Sequence, residues 1–268
     1  IDIGSMIFNL IYWVFSFLRM GTSGFAAQAY GQKDIRESFY QLYRALFVGL
    51  IGSIFLLVLQ KPIDLFSFFI INGSDEVEFF AQQYFYIRIW AAPATIALYS
   101  ISGWYIGMQN AKIPMILAII VNVLNIGFNV LFIKVFGMKS DGVALGTLCA
   151  QYSGLIAGII FLSKQKKRLK KYFIPAAILQ IKALKRFANV NKDIFIRTMS
   201  LVFALSFFTA KSAKFGDTLL AVNTILIQFF TIYAYIVDGF AYDGEALGGK
   251  YFGAKDKSNL VRVTKLLF

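Results

Sequence analysis

The sequence predicts an all-α membrane protein, a polytopic helical bundle with two pseudo-symmetric lobes, of which this chain holds most of the first and the beginning of the second. Three observations predict it. Of 268 residues, 58% are hydrophobic and 15% charged, with a mean hydropathy of +0.66. Soluble domains carry about a quarter charged residues, so the surroundings of this chain are lipid. The net charge of +13 is concentrated between Lys164 and Arg186, where nine Lys or Arg and no acid separate two apolar regions. In a soluble protein that excess would suggest nucleic acid; between apolar segments it is the positive-inside signature of a cytoplasmic loop. Finally, AQAYGQKD at 27–34 returns as GKYFGAKD at 249–256, with Gly31/Gly253, Lys33/Lys255 and Asp34/Asp256 matched at an offset of 222. Each copy ends a long apolar segment, as expected of one bundle used twice about an axis along the membrane normal. Residues 1–163 then form the first lobe, 164–187 a basic linker, and 188–268 the start of the second lobe.

The first helix is expected from about Gly4 to Gly31, where Gly21, Gly24, Ala26, Ala27 and Ala29 suit close helix packing. The chain begins at Ile1, without Met and inside an apolar run, and reads as a fragment. A second helix, Phe39 to Leu59, stops at Lys61-Pro62, and the loop after it holds Asp64, Asp75, Glu76 and Glu78 on the outer side. A third runs from Gln82 to Met108 through Pro93, a fourth from Pro114 to Phe136, and a fifth from Val143 to Leu162. In the linker, Ala176 to Phe187 sets Ile178, Leu179, Ile181 and Leu184 against Lys182, Lys185 and Arg186, a pattern suited to the membrane surface. The sixth helix covers Asn191 to Ala213 and the seventh Thr218 to Phe252. At 1.5 Å per residue the seventh is about 50 Å long, so it must tilt, bend or protrude. Leu260 opens an eighth. Alternating sides puts the Lys33 turn, the linker and the Lys255 turn together in the cytoplasm.

Chemistry is narrowly bounded. The chain has no histidine and one cysteine, Cys149, which excludes an internal disulfide, the usual zinc and haem ligands and an imidazole relay. Any proton chemistry therefore falls to carboxylates. No Walker or Rossmann loop and no nucleophile with a base is present, so neither an enzyme nor a cofactor is expected. Asn122, Asn125 and Asn129 are spaced three and four apart on one helix face. They either line a polar cavity or bond a neighbouring helix, at about 0.6 kcal/mol per bond. Asp238, Tyr242 and Glu245 share a face of the seventh helix, and a carboxylate there is either titrating or fixed in an ion pair. Arg19, Arg88 and Arg197 are read as snorkelling or salt-bridged.

Specific phrases then carry a resemblance. Arg19-Met20-Gly21-Thr22 through Gln28-Ala29-Tyr30-Gly31, Ile87-Arg88-Ile89-Trp90 with Pro93, Gly107-Met108-Gln109-Asn110, Leu124-Asn125-Ile126, Gly142 to Thr147 with Ala150-Gln151-Tyr152, Asp193 to Arg197, Leu220 to Asn223, and Asp238 to Tyr242 with Glu245-Ala246-Leu247 occur in order nearly end to end. Together they resemble the multidrug and toxic compound extrusion (MATE) family, in its DinF-like branch. That resemblance implies a MATE/MOP exporter fold, with twelve helices in two lobes, of which this chain covers about helices 2 to 8 and the start of 9. It also implies export of organic compounds, often cationic, against H+ or Na+. Asn125 matches a cavity residue of the family's fifth helix, whereas Asn129 stands where an acid is frequent, and Thr147 matches a sixth-helix threonine facing the same cavity. The departure at Asn129 shifts the coupling role toward Asp238 or the family's first helix; Asp243 stands where relatives have a small residue. The expectation is a multi-pass cell-membrane antiporter, acting as a monomer by alternating access on small organic cations, with H+ or Na+ as coupling ion and no nucleic-acid partner. A lipid-linked oligosaccharide flippase would instead need a groove with several inward Arg, and a membrane enzyme or scaffold a catalytic constellation or none.

Overall fold

Helices account for the whole architecture of the described residues, which are 8, 11–70, 75–214 and 217–267 of a computed structural model. A helical turn over 11–15 breaks at Ser16 and resumes as α1 (Phe17–Gly31), followed by α2 (Ile35–Val58) and α3 (Gln60–Ile70). Next come α4 (Asp75–Arg88), a 3₁₀ turn at Ile89–Ala91 and α5 (Ala92–Gly107). The hairpin of α6 (Lys112–Val130, extended by a π-turn to Val135) and α7 (Ser140–Ser163) completes the first lobe. Short α8 (Lys166–Tyr172) and α9 (Pro175–Ile178) lead to α10 (Ile181–Lys214). In the second lobe, α11 (Asp217–Asp243) passes through a π-turn at Gly244–Gly248 into α12 (Gly249–Gly253), and α13 (Lys257–Leu267) follows.

Among the described residues, four segments are long and apolar enough to cross a membrane: Ile35–Val58, Lys112–Val135, Ser140–Ser163 and Val222–Gly253. Their outer faces expose rows of large apolar side chains, among them Ile119, Val123 and Ile126 on α6 and Phe229, Phe230 and Tyr233 on α11. Contiguous apolar surface on that scale is solvated by lipid, not water. The chain is a multi-pass membrane protein.

Several boundaries differ from the sequence reading. Lys61-Pro62 ends α2 only in the sense that a new helix starts there, because a proline in the first turn forgoes no helix hydrogen bond. Asp64, expected in an outer loop, is buried in α3 and accepts a hydrogen bond from Tyr86 Oη at 2.9 Å. The third helix begins at Asp75 rather than Gln82, so Asp75 and Glu78 sit in its first turns, where carboxylates favour the helix dipole. Part of the amphipathic stretch packs on protein. Ile178 and Phe187 are buried, Phe187 against the Phe25 ring of α1, while Leu179 and Ile181 stay exposed, and the stretch from Ile181 is continuous with the sixth helix. Arg44 of α2 holds it: Nε and Nη2 donate to the Ile178 and Ala177 carbonyls at 3.2 and 3.1 Å, and Nη1 to Glu37 Oε1 at 2.6 Å. One guanidinium thereby caps the C-terminal end of α9.

The packing of α1 decides where its polar residues point. Gly103 and Gly107 on α5, four apart, let the α1 backbone approach so closely that a Cβ at Gly103 would collide with the Arg19 carbonyl, and one at Gly107 would lie 2.5 Å from the Ser23 carbonyl. Beside this contact Trp104 is fully buried, its Nε1 donating to the Ser38 carbonyl at 2.9 Å.

The repeated octapeptide builds the same turn twice. After Gly31, Lys33 takes φ 58° and Asp34 accepts from Glu37 N at 2.9 Å; after Gly253, Lys255 takes φ 57° and Asp256 accepts from Asn259 N at 3.1 Å. The returning bonds coincide too, with Asp34 N donating to Ala29 O at 2.9 Å and Asp256 N to Tyr251 O at 3.0 Å. Left-handed backbone costs a non-glycine residue roughly 1–2 kcal/mol, and an Asp N-cap returns about 1 kcal/mol. A third turn of this design follows Gly107, with Gln109 at φ 61° and Asn110 at the cap.

Candidate functional site

Two polar groups lie among the apolar helices. The first joins α6 to α7. Asn125 Nδ2 donates to Thr147 Oγ1 at 2.9 Å, Asn129 Nδ2 donates to Asn125 Oδ1 at 3.2 Å, and Thr147 Oγ1 donates to its own helix at Val143 O, 3.0 Å away. This ladder exists because α7 carries Gly142, Gly146, Ala150, Gly154 and Gly158 at four-residue intervals, all buried. Their bare face admits α6, and any Cβ at Gly146 would strike Asn129 Oδ1. That oxygen is buried and has no hydrogen-bond partner among the described residues. Asn122 is exposed and bonds back to Ala118 O at 2.9 Å. The ladder therefore bonds two helices and still presents an unused amide acceptor.

The second group spans the seam between the lobes. Arg19 of α1 stacks over the Tyr242 ring of α11 with 3.9 Å between guanidinium carbon and ring centre. One turn on, Glu245 lies within electrostatic reach of Arg19, Arg197 and Asp238 and beside Ser23. Gln109, from the third turn of the repeated design, reaches across and donates from Nε2 to the Ala246 carbonyl at 2.7 Å. Below, the backbones touch: a Cβ at Gly31 would meet the Lys250 carbonyl, and one at Gly253 the Gln28 carbonyl. These two contacts exchange under the 222-residue offset, so a local two-fold axis passes between α1 and α12.

The helical frame that carries this seam resembles that of known proteins. The MatE family model matches residues 1–131. DNA damage-inducible protein F of Escherichia coli (strain K12) is 33% identical over 266 residues, which cover 98% of this chain and 57% of that protein. The outward-facing conformation of a multidrug resistance MATE family transporter of the MOP superfamily superposes with a TM-score of 0.83 at 18% identity, over 99% of this chain and 60% of that one. MATE in complex with MaD3S superposes with a TM-score of 0.86 at 19% identity, over 99% and 60%. The chain belongs to the MATE family. It spans somewhat more than half the length of these MATE proteins, whose frame it shares from end to end.

Against that MATE frame, the residues singled out in the sequence fall into two sets. Asn125, Asn129 and Thr147 come together, with Asn122 on the same helix but outside the bonded ladder. Asp238, Tyr242 and Glu245 line the seam, Asp238 exposed and Glu245 partly buried. No hydrogen bond links the two sets among the described residues. Arg19 and Arg88 stack on aromatic rings, and Arg19 and Arg197 also lie within electrostatic reach of Glu245. Arg88 sits 5.5, 5.9 and 5.7 Å from the Phe8, Tyr12 and Tyr84 ring centres, an aromatic box that takes a cation without a counter-charge. Arg197 lies 3.7 Å from Met20 Sδ. Sequence reading missed Gln109 and Ser23 as seam residues. A signal existed for both: Gln109 occupies the left-handed position of a turn that recurs at Lys33 and Lys255, and Ser23 is the 222-offset counterpart of Glu245. Among the described residues no group of three or more His, Cys, Asp or Glu is placed to hold a metal ion.

Proposed function

We propose that the protein is a secondary antiporter that exports amphipathic organic cations against H+ or Na+ by rocking its two lobes. The observation that carries this reading is the seam, where two copies of one turn meet backbone to backbone while polar side chains above them cross between lobes. An interface of that kind, narrow and doubled, suits rigid-body motion of the halves about a fixed axis. On the first lobe, the Asn125–Asn129–Thr147 ladder offers neutral polar groups, with the Asn129 Oδ1 acceptor buried against Gly146. On the second, Asp238 offers an exposed carboxylate on the helix face it shares with Tyr242, a combination that favours an organic cation. With no histidine in the sequence, ion coupling rests on carboxylates, and Asp238 and Glu245 are those of the seam. The nine basic residues of Lys164 to Arg186 support a cytoplasmic position for the linker, and with it for the Gly31 and Gly253 turns, in a cell membrane. The protein works as a monomer, with lipid as its other partner.

The test is flux in proteoliposomes. A fluorescent organic cation loaded inside should leave faster when a proton or Na+ gradient is imposed, and Asp238→Asn should abolish the acceleration. Flux that ignores both gradients would refute antiport. Orientation is tested separately by attaching an impermeant maleimide to Lys167→Cys in a Cys149→Ala background in whole cells; labelling without permeabilisation would refute a cytoplasmic linker.

A further inference from the structure

The seam contains more polar chemistry than two packed helices need. Arg19 and Gln109 belong to the first lobe, Tyr242, Glu245 and Ala246 to the second, and they stack in order along the α1–α12 contact. Counting 1.5 Å per residue, Ala246 and Glu245 lie about 10 and 12 Å from the Gly253 turn, Tyr242 about 16 Å, and Arg19 about 18 Å from the Gly31 turn. Three atoms at this height, Arg19 Nη1, Ser23 Oγ and Glu245 Oε2, are buried and make no hydrogen bond of good geometry among the described residues, although Ser23 and Arg19 lie beside Glu245. Buried polar atoms are ordinarily paired, and opposite charges facing each other unpaired are costly. A permanent interface would have closed such gaps; one that alternates between two arrangements need satisfy each atom only in one of them. The second lobe is also adapted at this height. Its helix widens into the π-turn Gly244–Gly248, the kind of local irregularity that often marks functional positions, and there Gln109 takes the Ala246 carbonyl.

We propose that Arg19, Gln109, Tyr242 and Glu245 form an interlobe latch at the linker end of the bundle. With the latch made, the two lobes are held together on the linker side; opening that side breaks the Gln109–Ala246 bond and the Arg19 contacts together. What the latch controls rests on the alternating-access reading; its existence rests on the seam alone.

Spin labels at Arg36→Cys and Ser258→Cys, both exposed and related by the 222 offset, measure the gap between lobes. The protein would be studied in lipid nanodiscs with Cys149→Ala, by pulsed dipolar spectroscopy. Glu245→Gln and Arg19→Met should each raise the ratio of longer to shorter distances by about tenfold, the scale of one lost charged contact. Gln109→Ala, which leaves every charge in place and guards against variants that fail to fold, should raise it by about fivefold. Glu245→Asp should stay nearer the parent than Glu245→Gln. Distributions of Glu245→Gln and Gln109→Ala that superpose on the parent would overturn the latch, as would Asp and Gln at 245 behaving alike. If the distances respond but no ion gradient drives flux, antiport fails and the latch stands. Gradient-driven flux with unmoved distances gives the reverse.

Discussion

Adding one methyl group at Gly253 tests the two-fold seam directly. A Cβ there would collide with the Gln28 carbonyl oxygen and come within 2.8 Å of its carbon and Cα, all backbone atoms that cannot swing aside. Ordinary contacts need more than 3.4 Å, so the two helices must part. Overpacking of this kind costs about 1–3 kcal/mol. Against it stands the gain of replacing glycine by alanine in a helix, about 0.5–1 kcal/mol. Gly248 isolates that gain, because it lies five residues away in the same helical run with nothing within 4 Å of its Cβ position. Gly248→Ala should therefore be neutral to slightly stabilising, and Gly253→Ala worse than it by about 1–3 kcal/mol. At roughly 2–4 °C per kcal/mol this is a gap of about 2–12 °C in melting temperature, readable by dye-monitored unfolding in detergent. The symmetry adds a second demand: Gly31→Ala, which drives a methyl into the Lys250 carbonyl, should cost about as much as Gly253→Ala. Equal melting temperatures for the Gly253 and Gly248 variants would refute the close approach. A harmless Gly31→Ala beside a damaging Gly253→Ala would refute the two-fold relation.

Asn125→Ala removes the bond to Thr147 and orphans Asn129 Nδ2, so gradient-driven flux should fall more than protein yield; equal losses would make the ladder mere helix glue. Asn129→Asp should move the pH profile of flux, because it places a titrating group against Gly146 where the amide now sits; an unchanged profile would put the position off the coupling route. Arg44→Met leaves the Ala177 and Ile178 carbonyls without this donor and Glu37 with Gln41 Nε2 alone, and since Glu37 is about a third exposed the loss should be about 1–3 kcal/mol. Trypsin should then cut at Lys182 or Lys185 several-fold faster, and an unchanged cleavage rate would show that Arg44 does not hold the linker. Hydrogen bonds from Asn259 hold the Asp256 carboxyl below its ordinary value, so this cap contributes stability above the unfolded-state value and loses it only as pH falls through the lower folded one. A melting temperature of Asp256→Asn that tracks the parent between about pH 5 and 8 would agree, whereas divergence within that window would not.

The overall frame was legible because lipid enforces simple rules: long uncharged runs, a basic joint and a repeated octapeptide left few alternatives for α2, α6, α7 and α11. The boundaries were less legible where helix continues through residues that usually punctuate it. Pro62 and Asp75 looked like a stop and a loop, and both sit in first turns, where neither needs a helical partner. The amphipathic stretch before Phe187 was legible in part. Its period marked an apolar face, but only the position of Arg44, 134 residues away in sequence from Ile178, shows that protein holds one end of it, while Leu179 and Ile181 stay exposed. The site splits along the same line. Spacing alone put Asn125 with Asn129 and Tyr242 with Glu245, since each pair shares a helix. The partners across the seam, Arg19 with Tyr242 and Gln109 with Ala246, are set by how Gly103, Gly107, Gly31 and Gly253 let the backbones approach, and no local pattern states that.

The seam is symmetric in backbone and asymmetric in charge, and the difference has a consequence. The 222 offset relates Ala27 to Gly249, which touch on the axis with 2.7 Å between a Gly249 Cβ position and the Ala27 Cβ. One helical turn higher the same relation pairs Ser23 with Glu245, and another turn up Arg19 with Ala241. A perfectly repeated seam would set two carboxylates face to face or none; this one sets the Glu245 carboxylate opposite Ser23 and the Arg19 guanidinium opposite Ala241. Ser23 is the place to test that economy. It is fully buried and its hydroxyl makes no hydrogen bond of good geometry among the described residues, so Ser23→Ala should leave the melting temperature unchanged or raise it slightly. Ser23→Glu places a second negative charge against Glu245 in a site that water reaches poorly, and should lower it by several degrees through like-charge repulsion and desolvation. If alanine proved as damaging as glutamate, the hydroxyl would be making a bond that holds the lobes together, and the asymmetry of charge would no longer explain why the two halves of the repeat differ here.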